Sequence, residues 1–393
     1  MKIAFIHACL EPGRDGVGDH TIGLASECER QGVHACALAI NDSFVSKVWF
    51  GNRLDVPCLR LPQTMPWRER QRAAEEFLDQ HSPDWVSLQF VCYAYSSRGL
   101  VFGLPRLLRP MFKRRHANIM FHELWIGRDP GDSVKDRSFG WLQRLLIQRL
   151  FRTIGFETAH TSNQYYVSQL RSAGIAAGIL PLFGAVGFAS KPETVWLNEE
   201  MKLAGWLPTP GSRDQFLLFG FFGSIHPVWS PEPLFSYLAE AGARLGKQVG
   251  IISVGRQGPG VALWDRLVKD YSHRFKFLRL GARSAECLEG FFLEIDYGLA
   301  TTPYALIGKS GTTASMLEHG LPVIVNRDDI PFKGEQTELG ESQRLLIRMR
   351  PDLPGVLVSG VPHGTPSPRL PKVAALFLRD LQIAGNLKVT TPG

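Results

Sequence analysis

Apolar residues along this chain fall into short runs separated by amphipathic stretches, and the alternation persists almost from end to end. Residues 2–7 (KIAFIH) carry a buried-strand pattern, a loop leads to Gly18, and the spacing then predicts a helix over 19–31. Gly32 stops that helix ahead of a strand over 33–40. A helix near 67–80 precedes Pro83-Asp84 and the strand 85–90 (WVSLQF), and a helix over 99–112 feeds a strand over 117–121. The spacing of Trp141, Leu145, Leu146 and Leu150 predicts a helix over 138–151, with short strands at 158–161 and 179–182. Strands that alternate with helices in this way predict a parallel sheet covered on both faces.

Between about 189 and 215 the pattern breaks, with prolines at 192, 208 and 210 and glycines at 205 and 211. We read residues 191–214 as a linker between a first domain, 1–190, and a second, 215–345. In the second domain, strands are predicted at 216–222, 249–254, 275–278, 297–300 and 322–325. Helices are predicted between them near 233–245, 262–271, 284–292 and 311–319. A proline-rich tail, 346–393, ends in an amphipathic helix over 372–383 (KVAALFLRDLQI). The fold class is therefore α/β, with two successive doubly wound units, and 393 residues suit two cores rather than one.

Composition changes this picture little: 44% hydrophobic and 21% charged residues describe an ordinary globular chain. The first apolar run ends at Glu11-Pro12-Gly13, too short for a signal peptide, and no run is long enough to span a bilayer. A cytoplasmic protein is expected. Six scattered cysteines, without a C-x-x-C pair, read as small buried residues in a reducing compartment. The net charge of +7 favours anionic partners without choosing among them.

Ligands of doubly wound sheets lie at the carboxyl ends of the strands. The richest such turn is 297–325, YGLATTPYALIGKSGTTASMLEHGLPVIV. A strand ends in a small polar turn, and Lys309-Ser310-Gly311-Thr312-Thr313 opens a helix whose last turn carries Glu318. A helix start offers unpaired amides and partial positive charge to a phosphate, Lys309 adds a cation, and Ser310, Thr312 and Thr313 offer hydroxyls. Glu318, on the same helix, is placed to accept hydrogen bonds from a ribose. The stretch is not a Walker P-loop, and it reads equally as a glycine-rich turn into an ordinary crossover helix with a solvated Glu318.

The series P-Y-x-L-I-G-K-S-G-T-T-A-S-M-L-E-H-G-L-P-V-I-V resembles the nucleotide-sugar segment of family 4-like glycosyltransferases of the GT-B type, in which the helix ends E-x-x-x-x-G-x-P-V. The resemblance implies two Rossmann-like domains facing a central cleft, with Gly311, Thr312 and Thr313 on the pyrophosphate and Glu318 as the ribose-binding glutamate. Family members carry a further glutamate, eight residues earlier, on the donor sugar; that position is assigned to Ser310 here. Phe219–Ser224 (FGFFGS) resembles the family's first nucleotide-domain strand and turn, placing Gly223 and Ser224 near the donor. The following loop, SIHPVWSPEP, lacks the usual Arg and Lys, so His226, Lys309 or Arg256 takes over their charge. Val254-Gly255-Arg256 is similar to the family's V-G-x-G turn.

Gly13-x-x-Gly16-x-Gly18 resembles the family's first phosphate- or acceptor-contacting turn, although Asp19 there opposes an anion, and simple loop flexibility explains the glycines as well. His122 and Glu123, in FHELW at the end of the strand 117–121, resemble the position where a histidine meets the transferring sugar, with Glu123 as acceptor or base. Taken alone, His122 reads as structural. From 98 to 116 there are six Arg or Lys and no acid, and 135–152 adds a second basic, aromatic-bearing helix. That is either a solvated face or a docking surface for anionic lipid; no motif supports nucleic acid.

The resemblance implies a hexosyltransferase-like enzyme moving a sugar from a nucleoside-diphosphate sugar to a glycan or lipid-linked acceptor hydroxyl, in polysaccharide or glycolipid synthesis. It further implies retained anomeric configuration and no cofactor or metal. Ser310 and the missing Arg/Lys pair motivate one alternative, a non-catalytic sugar-nucleotide-binding subunit; a second is a sugar-nucleotide epimerase or phosphorylase of the same fold.

Overall fold

The computed structural model describes residues 1–128, 131–189, 191–207, 212–332 and 337–389. The chain divides into two compact units: Met1–Pro181 with Leu370–Gly393, and Leu182–Arg369.

The first unit runs β1 (Lys2–His7), α1 (Gly16–Arg30), β2 (His34–Asp42), β3 (Trp49–Arg53), β4 (Val56–Pro62), α2 (Trp67–His81) and β5 (Trp85–Phe90). It continues with α3 (Leu104–Leu108), β6 (His116–Phe121), α4 (Val134–Ile154), β7 (Thr158–Thr161), α5 (Gln164–Ser172) and β8 (Gly178–Ile179). The strands form one sheet in the order β3-β4-β2-β1-β5-β6-β7-β8, parallel except for the β3–β4 hairpin. Ile3, Phe5, Val86, Leu88, Phe90, Ile119 and Phe121 are fully buried, as strands covered on both faces require.

α1 starts three residues before the predicted helix, because Asp15 caps it by accepting from the Val17 and Gly18 amides. The helix predicted over 99–112 is instead α3 followed by a 3₁₀ turn, Arg109–Phe112, since Gly99, Gly103 and two prolines prevent one continuous helix. The hairpin β3–β4 and α5 were not predicted; β3 is only half-buried and lacks a sustained apolar alternation.

The second unit runs α6 (Val195–Leu203), β9 (Phe216–Phe222), α7 (Leu234–Leu245), β10 (Gln248–Val254), α8 (Val261–Tyr271), β11 (Lys276–Gly281) and α9 (Ala285–Glu294). It closes with β12 (Tyr297–Ala300), α10 (Gly311–Glu318), β13 (Val323–Val325), β14 (Leu346–Arg348) and α11 (Leu353–Ser359). Its sheet is parallel, in the order β11-β10-β9-β12-β13-β14. Period-2 alternation feeds two cores: Leu217, Phe219 and Phe221 of β9 join one cluster, while Phe216 and Leu218 join the other.

The expected linker 191–214 requires correction. Its described part contains α6, whose Leu197 and Met201 are fully buried in the second cluster together with Trp206, so it is structural rather than connecting chain. Pro208, Pro210 and Gly211, which suggested the break, lie outside the described residues. The second unit also takes residues 346–369 of the expected tail, while the final helix, α12 (Leu370–Val389), belongs to the first. Phe377 of α12 meets Phe5 with ring centroids 5.7 Å apart, and the Gln31 amide donates to the Pro371 carbonyl at 2.9 Å.

Candidate functional site

In the second unit, three strand ends meet a helix start. β9 leads into Gly223, whose φ of +76° suits glycine alone and whose amide donates to the Val254 carbonyl at the end of β10 (2.9 Å). A Cβ on Gly223 would lie 2.9 Å from Thr312 Cγ2, one on Gly255 3.2 Å from the Gly223 nitrogen, and one on Gly258 3.0 Å from Ser224 Oγ. Residues predicted separately, Gly223, Ser224 and Thr312, thus come together. Arg256 follows Gly255 and is exposed.

Ser310 is the N-cap of α10: its hydroxyl oxygen accepts from the Thr313 amide at 3.2 Å and from the Thr313 hydroxyl at 2.9 Å. This cap claims the third amide of the turn, while Gly311 and Thr312 precede it where a helix has no acceptor of its own. A Cβ on Gly311 would meet nothing within 4 Å. Thr313 is consumed by the cap and fully buried, so its expected pyrophosphate contact is corrected to a structural one.

Around this turn stand cations. The His226 amide donates to Thr301 Oγ1 (3.3 Å), and Arg327 donates to the Thr301 carbonyl (3.2 Å). Burial, then the charges of Arg327 and Lys309, hold the His226 imidazole below its ordinary pKa, with Asp329 pulling the other way. Arg327 is itself paired with Asp329, whose Oδ1 accepts from the Arg327 Nε at 3.1 Å, so the basic groups around this turn include one that already has a carboxylate partner. Arg327 was not among the predicted residues; its signal was its position just after β13.

Glu318 does not stand beside that anion site. It is 2% exposed, and its Oε1 accepts from the Gly184 amide at 2.7 Å. Burial pushes its carboxyl up to about 7, against the opposing influence of the Gly184 amide and Arg369. Both earlier readings fail: it is neither solvated nor turned toward a ribose. Counting back from Gly320, the E-x-x-x-x-G-x-P-V spacing puts the ribose glutamate on Ser315, and the glutamate eight residues earlier on Ile307 rather than Ser310. Ser315 Oγ accepts from the Ala185 amide (3.0 Å) and donates to the Gly311 carbonyl (3.0 Å), and Ile307 is buried.

In the first unit, the expected phosphate turn is also corrected. The Gly18 amide already donates to Asp15 Oδ1 (2.9 Å), and a Cβ there would lie 2.6 Å from the Cys9 carbonyl oxygen, so packing explains this glycine. Gly16 opens α1, with nothing within 4 Å of an added Cβ.

His122 follows β6 and is buried, with Nε2 2.8 Å from Gln89 Oε1 and its ring edge-on to His20 at 5.1 Å. Burial, aided by the charge of His7, takes the His20 imidazole down to about 3. His7 ends β1, with Nδ1 2.7 Å from the Gln89 carbonyl and Nε2 3.3 Å from Asp15. Burial works against the Asp15 carboxylate, yet His7 and the two helix amides hold it below the usual range. Glu123 is half-buried; its charge adds to the burial that pushes the Cys92 thiol up to about 12. His7 and Gln89, at the ends of β1 and β5, and Asp15 and His20, at the start of α1, are polar residues that the sequence reading missed.

No protein-family model matches the chain, and no curated protein matches its sequence. Among solved structures, the chain is similar to HepE from Anabaena in complex with UDP and glucose, at 14% identity and a TM-score of 0.54, over 97% of this chain and 91% of that one. It is similar to a glycosyltransferase from Rickettsia africae at 12% identity and a TM-score of 0.56, over 99% of each chain. A Listeria monocytogenes protein assigned as a UDP-N-acetylglucosamine 2-epimerase matches at 10% identity and a TM-score of 0.53, over 99% of this chain and 97% of that one. Two doubly wound parallel-sheet units in succession, matched over nearly the full length of these proteins, identify the architecture as the GT-B fold.

Proposed function

We propose that the protein is a glycosyltransferase whose second unit holds the diphosphate of a nucleoside-diphosphate sugar. The observation that carries this reading is the convergence of the Gly223-Ser224 turn and the Gly311-Thr312 helix start at one strand-end position, with Lys309 and the Asp329-paired Arg327 near His226 beside them. Arg256, from the neighbouring turn, adds to the charge. In the transfer, the bond between the anomeric carbon and the diphosphate oxygen breaks, a bond to an acceptor hydroxyl oxygen forms, and the hydroxyl proton passes to the departing diphosphate. The cations stabilise charge building on the departing diphosphate, with no metal required, and the rest of catalysis is positioning.

His122 is the group proposed to meet the transferring sugar, with Glu123 as a supporting acceptor. We further propose retention of configuration, an acceptor that is a glycan or lipid-linked sugar, and cytoplasmic activity at an anionic membrane face. Exposed Trp141 on the basic helix α4 favours that last point, and among the described residues no helix is long and apolar enough to cross a membrane.

A second reading is favoured by Ser315 and Ile307, which leave both glutamate positions of the family pattern without a carboxylate. The loop SIHPVWSPEP also lacks the family's Arg and Lys, and a sugar-nucleotide-binding subunit without turnover has no departing diphosphate to neutralise. The likeness to the Listeria protein favours an epimerase in the same way. Calorimetric titration with UDP, GDP, ADP and their sugars tests the donor site; binding of none refutes it. Nucleoside diphosphate released only with acceptor extracts supports transfer, binding without release supports the subunit, and conversion of donor without acceptor supports the epimerase.

A further inference from the structure

A line of polar side chains crosses the interior of the first unit from His122 to the last helix. Ser87 and Gln89 of β5, Asn118 of β6 and His160 of β7 are at most 1% exposed, and β5 and β6 are built mainly of apolar residues. Polar groups so placed are costly unless their hydrogen bonding is completed, so the arrangement is specific. The contacts are His122 Nε2 to Gln89 Oε1 at 2.8 Å, Gln89 Nε2 to Ser87 Oγ at 2.9 Å, and Ser87 Oγ to Asn118 Oδ1 at 2.7 Å. Asn118 Nδ2 lies 3.1 Å from His160 Nδ1, and His160 Nε2 lies 3.3 Å from Asp380 Oδ2 on α12.

The direction of every bond follows from one fixed point. Asn118 Nδ2 also faces the Thr158 carbonyl (3.3 Å), which can only accept, and this settles which end of the Asn118 amide is nitrogen. His160 Nδ1 must then accept, so its proton is on Nε2, facing the Asp380 carboxylate. Asn118 Oδ1 can only accept, so the single Ser87 hydroxyl proton goes to it, and Ser87 Oγ must accept from Gln89 Nε2. That turns Gln89 Oε1 toward His122, where only an Nε2–H can meet it.

We propose that this one-directional network is a positioning device that fixes neutral His122 as its Nε2–H tautomer, leaving Nδ1 as the ring's basic atom, with Asp380 of α12 as the far anchor. This tautomer holds independently of the function proposed above. Burial opposes ionisation of Asp380, but its bond to His160, together with Arg379, holds the carboxyl below the usual range, which keeps the anchor charged.

The test is long-range proton–nitrogen correlation on histidine-labelled full-length protein above the histidine titration range, with His122 assigned by the signals lost in His122→Gln. Wild type is expected to show protonated Nε2 and unprotonated Nδ1 for His122; the opposite tautomer overturns the proposal without any further variant. In Ser87→Ala, Gln89 loses the acceptor that orients it, and the two His122 nitrogen signals are expected to converge as tautomers mix. Asp380→Asn, at a partly exposed site on α12, still offers an oxygen to His160 Nε2–H and should leave the His160 tautomer as in wild type, because Asn118 fixes it; mixed His160 tautomers in this variant would overturn Asn118 as the fixed point of the network. A correct His122 tautomer in a protein that turns over no donor would leave the network standing and count only against the transferase reading.

Discussion

Glu318→Gln should flatten the pH dependence of stability. Burial raises the Glu318 carboxyl from 4.5 to about 7 in the folded protein. Between those values the unfolded chain has released a proton that the native state retains, so the contribution runs against folding as pH rises. Stability is unaffected below the unfolded value and falls progressively until the folded value is passed. A difference of about 2.5 units at ~1.4 kcal/mol each amounts to roughly 3.5 kcal/mol, about three-hundredfold in the folding equilibrium, of which roughly 3 kcal/mol falls between about pH 4.5 and about pH 8. Glutamine keeps an oxygen for the Gly184 amide but cannot ionise, and any pH-independent loss cancels when slopes are compared. Urea unfolding of both proteins from about pH 4.5 to about pH 8 should show the wild type losing roughly 3 kcal/mol more than the variant. Parallel pH profiles would refute the reasoning, because a carboxylate that ionises normally must reach water or a ligand. Calorimetry on the same variant separates the roles: UDP affinity should be unchanged, as Glu318 is held by protein backbone.

Lys309→Ala and Arg256→Ala should each weaken UDP binding about tenfold and reduce its salt dependence, since a charge-assisted hydrogen bond contributes about 1.5–3 kcal/mol; unchanged calorimetric affinity in both would remove the anion site. Gly18→Ala pushes a methyl to 2.6 Å from the Cys9 carbonyl oxygen and should lower stability by about 1–3 kcal/mol in thermal unfolding. Its UDP affinity should stay as in wild type, and a selective loss of affinity would restore the phosphate role of that turn. Trp141 is 63% exposed on α4, so Trp141→Ala should reduce sedimentation with anionic vesicles and leave the weak binding to neutral vesicles as it was. Equal binding to both vesicle types would argue for a merely solvated face.

The doubly wound pattern was legible because parallel strands buried on both faces write themselves as continuous apolar runs, and KIAFIH, WVSLQF and FLLFGFF leave little choice. β3 was not legible: Trp49–Arg53 alternates between half-buried and exposed, and it is held by pairing with β4 rather than by its own pattern. α6 was hidden for a related reason, since surrounding prolines and glycines suggested a linker while Leu197 and Met201 still supplied a buried face. The helix opening at Gly311 was readable from Ser310 and the glycine, both local signals. The proximity of Gly223 to Thr312, and of Arg327 and Lys309 to His226, depends on strand order, which no local pattern contains. Polar residues inside apolar strands were visible throughout. Ser87 and Gln89 in WVSLQF, and Asn118 in HANIMF, are costly where they stand, and that cost was itself the clue to the network behind His122.

The misplacement of the ribose glutamate shows what a register of three residues does on a helix. Residues 315 and 318 lie one turn apart, about 4.5 Å along the axis, so both fall on one face and either satisfies an argument from periodicity. Their surroundings differ. Ser315 returns a hydroxyl to the Gly311 carbonyl, so it sits one turn from the helix start where a phosphate is expected. Glu318 sits at the end, where its main-chain carbonyl accepts from Ser367 and its carboxylate accepts from Gly184. With serine at the first position and Ile307 eight residues before it, the donor site contains no carboxylate at either glutamate position of the family pattern. Recognition of a nucleotide sugar here must then lean on charge directed at the diphosphate, and affinity for free UDP should approach that for UDP-sugars. A strong preference for one UDP-sugar over UDP would mean that sugar contacts come from residues outside this turn.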